Sequence, residues 1–96
     1  LKGRKIAAIA EAAGIPCMIG CMGESDIGIA AGTHLAAAVK NIQYADLDSD
    51  LLQKDKLAKK GGTKVKNSMR LFPKQHGLGI KEVDTQILGK PIKIYK

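Results

Sequence analysis

Residues 15 to 48, IPCMIGCMGESDIGIAAGTHLAAAVKNIQYADLD, decide the fold. The stretch opens with a short continuous apolar run, Ile15 to Met22, of the length and character of a strand buried on both faces. From Ser25 to Val39 the pattern changes to a period near 3.6, with Ile27, Ala30, Ala31, His34, Leu35 and Ala38 on one stripe. Ser25 or Asp26 is placed to cap that helix and Asn41 to end it. A second strand follows in IQYAD. Upstream, RKIAAIAEAA (residues 4 to 13) puts Ile6, Ile9, Ala10 and Ala13 at helical spacing, with Gly14 as a stop. Helix, strand, helix, strand with short links is the grammar of a parallel α/β sheet.

Both strands end in chemistry. The first runs into Gly20-Cys21-Met22-Gly23-Glu24 and the second into Asp46-Leu47-Asp48. In open α/β sheets and barrels, ligands meet the carboxyl ends of strands. Side chains alternate along a strand, so Asp46 and Asp48 should point one way and Leu47 the other, with the two Cα atoms ~7 Å apart. A small cation between them can take contacts from both. A primary ammonium suits the pair; a divalent metal suits it less, since only two ligands are visible. The plain alternative is a solvated strand-to-loop junction, because Asp is common in turns.

Size and composition set bounds. The 96 residues suffice for one small domain with a modest core, and 45% hydrophobic with 26% charged residues is ordinary globular composition. Aromatics at 3% argue against a stacking platform for single-stranded nucleic acid. No apolar run reaches the ~20 residues of a membrane helix and no secretory signal opens the chain, so a cytoplasmic protein is expected. The first residue, Leu1, already lies in a helical pattern, and the chain is expected to begin partway through a longer protein. Cys17 and Cys21, four apart in a strand, would sit ~13 Å from one another, too far for a disulfide. Without a nearby His or second Cys pair they also make a poor zinc site.

After residue 50 the character changes. LLQKDKLAKKGGTKVKNSMR is basic and reads as a loop with weak strand content. GLGIKEVD and ILGKPIKIY suggest two short strands joined by a turn, Pro91 confining the last to an edge. The formal net charge is +7, and Lys54, Lys56, Lys59, Lys60, Lys64, Lys66, Arg70 and Lys74 could neutralise phosphates. A solvated loop is the simpler account, since neither aromatics nor a recognition motif accompanies them. Gly61-Gly62 has no P-loop context. His34, on the apolar stripe, reads as a packing histidine, and His76 as an exposed one.

IAAIAEAAGIPCMIGCMGES, AAGTHLAAAV, YADLDSDLL and GLGI, in that order, resemble the C-terminal part of an enolase-superfamily enzyme of the muconate-lactonizing subgroup. Within it, the dipeptide epimerases of the L-Ala-D/L-Glu type are most similar. The resemblance runs from about residue 4 to residue 81. It implies the last two units of a modified TIM barrel in residues 1 to 50. Residues 51 to 96 would be a tail of short strands that packs on the capping domain. Asp46 and Asp48 match the family's pair for the substrate's α-ammonium group. Cys21 and Met22 match positions lining that pocket, and Glu24 stands where an acid is frequent, in either a structural or a substrate-binding role. The implied reaction removes the proton α to a carboxylate and returns it to the opposite face, using two lysines and Mg2+. Those lysines and metal carboxylates belong to strands that these 96 residues do not contain, so a fragment with no catalytic residue of its own is expected.

The expected partners are a dipeptide substrate and the remainder of the barrel and capping domain, with a homo-oligomer left open, and neither nucleic acid nor membrane. A cycloisomerase or o-succinylbenzoate synthase of the same superfamily is an alternative, disfavoured because those substrates carry no ammonium. A small basic nucleic-acid-binding protein is the alternative of another class. In the family the last loop often reads PGLGI; His76 in place of Pro is expected to loosen it.

Overall fold

The computed structural model describes residues 2–89. Helix α1 (Lys2–Ala12) leads into strand β1 (Cys17–Ile19), helix α2 (Asp26–Ala38) and strand β2 (Ile42–Ala45). A 3-10 turn (Ser49–Leu52) follows, then β3 (Ala58–Gly61), β4 (Lys64–Lys66), β5 (Met69–Leu71), β6 (Ile80–Val83) and the short helix α3 (Thr85–Leu88). β1 and β2 run parallel, in register Cys17↔Ile42, Met18↔Tyr44 and Ile19↔Ala45, as α2 carries the chain from one to the other. The pairing continues one step past β2, where the Asp46 N–H donates to the Ile19 carbonyl at 2.9 Å.

The helices start and stop for local reasons. Gly14, at φ +70°, follows α1. Ser25 caps α2, its hydroxyl accepting from the Gly28 N–H at 3.2 Å. α2 ends at Ala38 with Val39 already extended, so Asn41 does not terminate it. The Asn41 amide ties the α1–β1 link instead, donating to the Ala7 and Ile15 carbonyls at 3.2 and 3.0 Å.

Two expectations about burial do not hold. The buried residues of α2 are Ile29, Ala30 and Thr33, so only Ala30 of the expected stripe from Ile27 to Ala38 is buried. Small residues surround this helix on all sides, so its apolar pattern has little direction. β1 is not enclosed on both faces either: Met18 is exposed, and β1 and β2 form a two-stranded sheet. A parallel pair needs further strands and helices to cover it, and the described residues supply only α1 and α2. The buried apolar core is correspondingly small: Ala7, Ile29 and Ala30.

Residues 58 to 83 hold more strand than their composition suggests. β3 pairs antiparallel with β6, and β4 with β5 through a tight turn at Asn67 and Ser68, both at positive φ (50° and 60°). Lysines dominate β3 and β4, and no apolar alternation marks them because neither small sheet has a buried face. The loop before β6 is closed by a hydrogen bond from the Gly79 N–H to the His76 carbonyl at 3.1 Å. A Cβ on Gly79 would collide with the Pro73 ring, and its φ of +70° suits only glycine well. The first of the two late strands is present as β6. Ile87 and Leu88, expected in the second, lie in α3, capped by the Asp84 carboxylate. Gly89 ends that helix at φ +72°, and the rest of the stretch from residue 90, Pro91 included, lies outside the described residues.

The later segment is fastened to the α/β unit at several points. Both Asp26 carboxylate oxygens accept backbone N–H groups, from Leu57 at 3.0 Å and Ala58 at 2.9 Å. Phe72 meets His34 edge-on with ring centroids 5.1 Å apart. His34 itself bonds the Ala30 carbonyl through Nδ1 at 2.7 Å, which fits a packing role.

Candidate functional site

The carboxyl ends of β1 and β2 lie side by side, and the segments leaving them converge. One ligand atom from each of Cys21, Asp46 and Asp48 lies within 4.8 Å of the other two. The Cys21 Sγ is 3.8 Å from the Asp48 Oδ1, and both cysteines are free thiols. The two aspartates therefore face one point although both lie beyond the end of β2, where strand alternation no longer applies. Leu47 between them turns away, its Cδ2 lying 3.0 Å from where a Cβ on Gly32 of α2 would stand. Asp46 and Asp48 line a cleft of about 570 Å³ together with Thr33, Leu51, Val65 and Arg70.

Cys21, Met22 and Glu24 do not line that cleft. Cys21 joins the acid pair from its other side. Met22 projects into solvent, 94% exposed. Glu24 serves mainly through its backbone: its N–H donates to the Ser49 hydroxyl at 3.2 Å, and its carbonyl accepts from that hydroxyl and from the Gln53 amide, the latter at 2.6 Å. Its carboxylate lies over the first turn of α2, 3.1 Å from where a Cβ on Gly28 would sit, a position where a helix favours negative charge.

Asp50 has a different fate from its two neighbours in spacing. The 3-10 turn rotates it inward, where it forms a two-pronged ion pair with Arg70: Nη2 to Oδ1 at 2.7 Å and Nη1 to Oδ2 at 3.1 Å. The side chains are 8% and 12% exposed. Arg70 also donates to the Leu47 carbonyl at 2.6 Å and to the Thr63 hydroxyl at 3.1 Å, while Lys56 reaches the Asp50 carbonyl. Arg70 is thus committed inside the molecule and drops out of the basic run. Its pairing spans 20 residues and leaves no trace in local sequence pattern. Lys59 and Lys60 both pair with Glu82, at 3.4 and 3.1 Å.

A larger hollow, about 750 Å³, lies between β3 and the segment from Leu71 to Gln75. It is lined by Lys59, Lys60, Lys64, Lys74 and Lys81 with no carboxylate or thiol among its walls. The acid–thiol cluster, at the end of parallel strands, is the better candidate.

That cluster can hold a cation. As a Mg2+ site it fits poorly: Mg2+ demands near-octahedral oxygen coordination, and here two carboxylates are joined by a soft thiol. An ammonium, with three donors and no fixed coordination polyhedron, matches two carboxylates and a weak sulfur acceptor.

A parallel β-α-β unit with an acid pair at its carboxyl end defines the class. The chain belongs to the enolase C-terminal domain-like family, whose model matches residues 1–86. Among individual proteins it is similar to the L-Ala-D/L-Glu epimerase of Bacillus subtilis, 42% identical over 76 residues, which are 79% of this chain and 20% of that one. It is also similar to the hydrophobic dipeptide epimerase of Enterococcus faecalis, 65% identical over 46 residues, or 47% of this chain and 13% of the relative. The structure of a substrate-liganded complex of the B. subtilis epimerase superposes with a TM-score of 0.77 at 40% identity, covering 83% of this chain and 22% of that one. The chain therefore spans about a fifth of the length of the B. subtilis protein. No helix among the described residues is long and apolar enough to cross a membrane.

Proposed function

We propose that this chain is the C-terminal portion of a Mg2+-dependent dipeptide epimerase, and that Asp46 and Asp48, with Cys21 beside them, receive the α-ammonium group of the substrate. Residues 1 to 50 would form the last two units of the barrel, and residues 51 to 96 the tail that returns to the capping domain. Epimerases named for different dipeptides, L-Ala-D/L-Glu and L-Lys-D/L-Arg, align with most of this chain, and the fold match to a substrate-liganded relative supports the reading.

The observation that carries the reading is the convergence of two carboxylates at one strand end. Like charges held this close repel one another, and a cation between them relieves that repulsion. Both carboxylates are exposed in this chain; once the rest of the enzyme shields them, each charge-assisted hydrogen bond to the ammonium would contribute ~1.5–3 kcal/mol. The group so held fixes one end of the dipeptide. Its reacting α-carbon, next to a carboxylate, is thereby placed relative to groups contributed by the rest of the enzyme. Mg2+ would supply Lewis-acid stabilisation of the enolised carboxylate from ligands outside this chain. The residues described here bind and orient; the proton moves elsewhere.

The test is Asp46→Asn and Asp48→Asn in the complete enzyme. Each should raise the KM for a free-amine dipeptide by about tenfold to a hundredfold, with a smaller change in kcat. Wild-type kinetics in both variants would remove the assigned role.

A further inference from the structure

Arg70 makes four hydrogen bonds from one nearly buried guanidinium, and one goes to the carbonyl of the residue between the two pocket aspartates. We infer that Arg70, although it forms part of the cleft wall, is a positioning residue for ammonium capture that acts through the Leu47 carbonyl, its guanidinium being taken up by Asp50, Leu47 and Thr63. The inference rests on the ammonium role proposed above for Asp46 and Asp48.

The Asp46-Leu47-Asp48 segment lies past the end of β2, so strand pairing alone cannot hold its geometry. Three restraints act on Asp46 and Leu47. The Asp46 N–H is bonded to Ile19 on β1. The Leu47 side chain is pressed against α2 at Gly32. The Leu47 carbonyl, which belongs to the peptide unit leading into Asp48, is held at 2.6 Å by Arg70 Nη2. Without the third restraint that peptide unit is fixed only from its far side, where the Leu51 N–H donates to the Asp48 carbonyl at 2.8 Å, and its tilting would move the Asp48 carboxylate relative to that of Asp46.

The same guanidinium would be a poor neighbour for an incoming ammonium were it not neutralised. Asp50 does this, taking both prongs of the fork. The pair thus delivers a directed donor to Leu47 while adding no net positive charge beside the pocket. A lysine could satisfy Asp50, yet as a point donor it cannot hold two carboxylate oxygens and the Leu47 carbonyl in one plane.

The experiment compares Arg70→Lys with wild type in the complete enzyme. The KM for a free-amine dipeptide should rise about tenfold while kcat stays within about threefold. Preference for the free amine over its N-acetyl derivative should shrink by a similar factor. Should Arg70→Lys fail to fold, the double variant Asp50→Leu/Arg70→Met replaces the buried pair with apolar groups, an exchange often neutral or better for stability. It should show the same rise in KM. Wild-type KM and amine preference in a folded Arg70→Lys or double variant would overturn the inference, provided Asp46→Asn and Asp48→Asn raise KM. Should those two variants be silent as well, the ammonium reading itself falls.

Discussion

Asp46, Asp48 and Asp50 share a side-chain type and a spacing of two, and the backbone alone assigns them different work. An extended run would point all three the same way. The 3-10 turn beginning at Ser49 breaks that period, leaving the first two at the strand tip and turning the third inward to Arg70. The gathering of acid in a chain of net charge +7 thus has two causes: a cation site, on our reading, and a buried partner for one specific cation. Asp50→Asn keeps hydrogen-bonding capacity but leaves the Arg70 charge uncompensated. It should destabilise the protein by ~3 kcal/mol, seen as a lowered melting midpoint, whereas a surface pair such as Lys60–Glu82 should matter by under ~1 kcal/mol. An unshifted midpoint for Asp50→Asn would show that the pair contributes little. Asp46 and Asp48 were readable from sequence because their spacing and place at a strand end are local facts. Arg70 was not, since its partner lies 20 residues away and every neighbouring basic residue looks equally eligible.

Elements were legible where apolar residues cluster in the sequence, not where the fold buries them, since β2 is as exposed as β3. α1, β1, α2 and β2 fall where periodicity puts them, since the β-α-β unit sets apolar residues against one another. Strands β3 to β5 gave only a weak signal because they are short, mostly exposed and, in β3 and β4, rich in lysine. Their placement comes from other devices: the Asp26 carboxylate on two backbone N–H groups at the start of β3, and close backbone passage at Gly61 and Gly79. That passage is where the tail is most sensitive. Gly79→Ala must place a methyl group into the Pro73 ring at a φ that L-residues avoid, and should cost ~2–3 kcal/mol. Chemical denaturation of the complete protein would check this; full stability in Gly79→Ala would mean that the loop can move aside.

For the whole molecule, the exposed apolar residues matter most. Ile6 and Ile9 on α1 and Met18 on β1 are 64%, 73% and 66% exposed, and Ile6 and Met18 line an apolar hollow of about 290 Å³ with Leu35 and Ile42. The radius of gyration is 14.8 Å, larger than the ~12–13 Å of a compact globule of this length. Both facts agree with the proposed reading, in which this segment completes its core against other parts of a longer protein. The 96 residues alone should therefore bind a hydrophobic dye and self-associate, as read by fluorescence and light scattering. A monomer with a sharp cooperative melt would contradict this.

The pairing of Asp50 with Arg70 also bears on the order of events during synthesis. A nascent polypeptide emerges amino end first, so the acidic tip leaves the ribosome 20 residues before the arginine that joins it. Until then Asp50 and the Leu47 carbonyl lack the Arg70 guanidinium that holds both. Final setting of the tip thus waits on translation of the hairpin behind it.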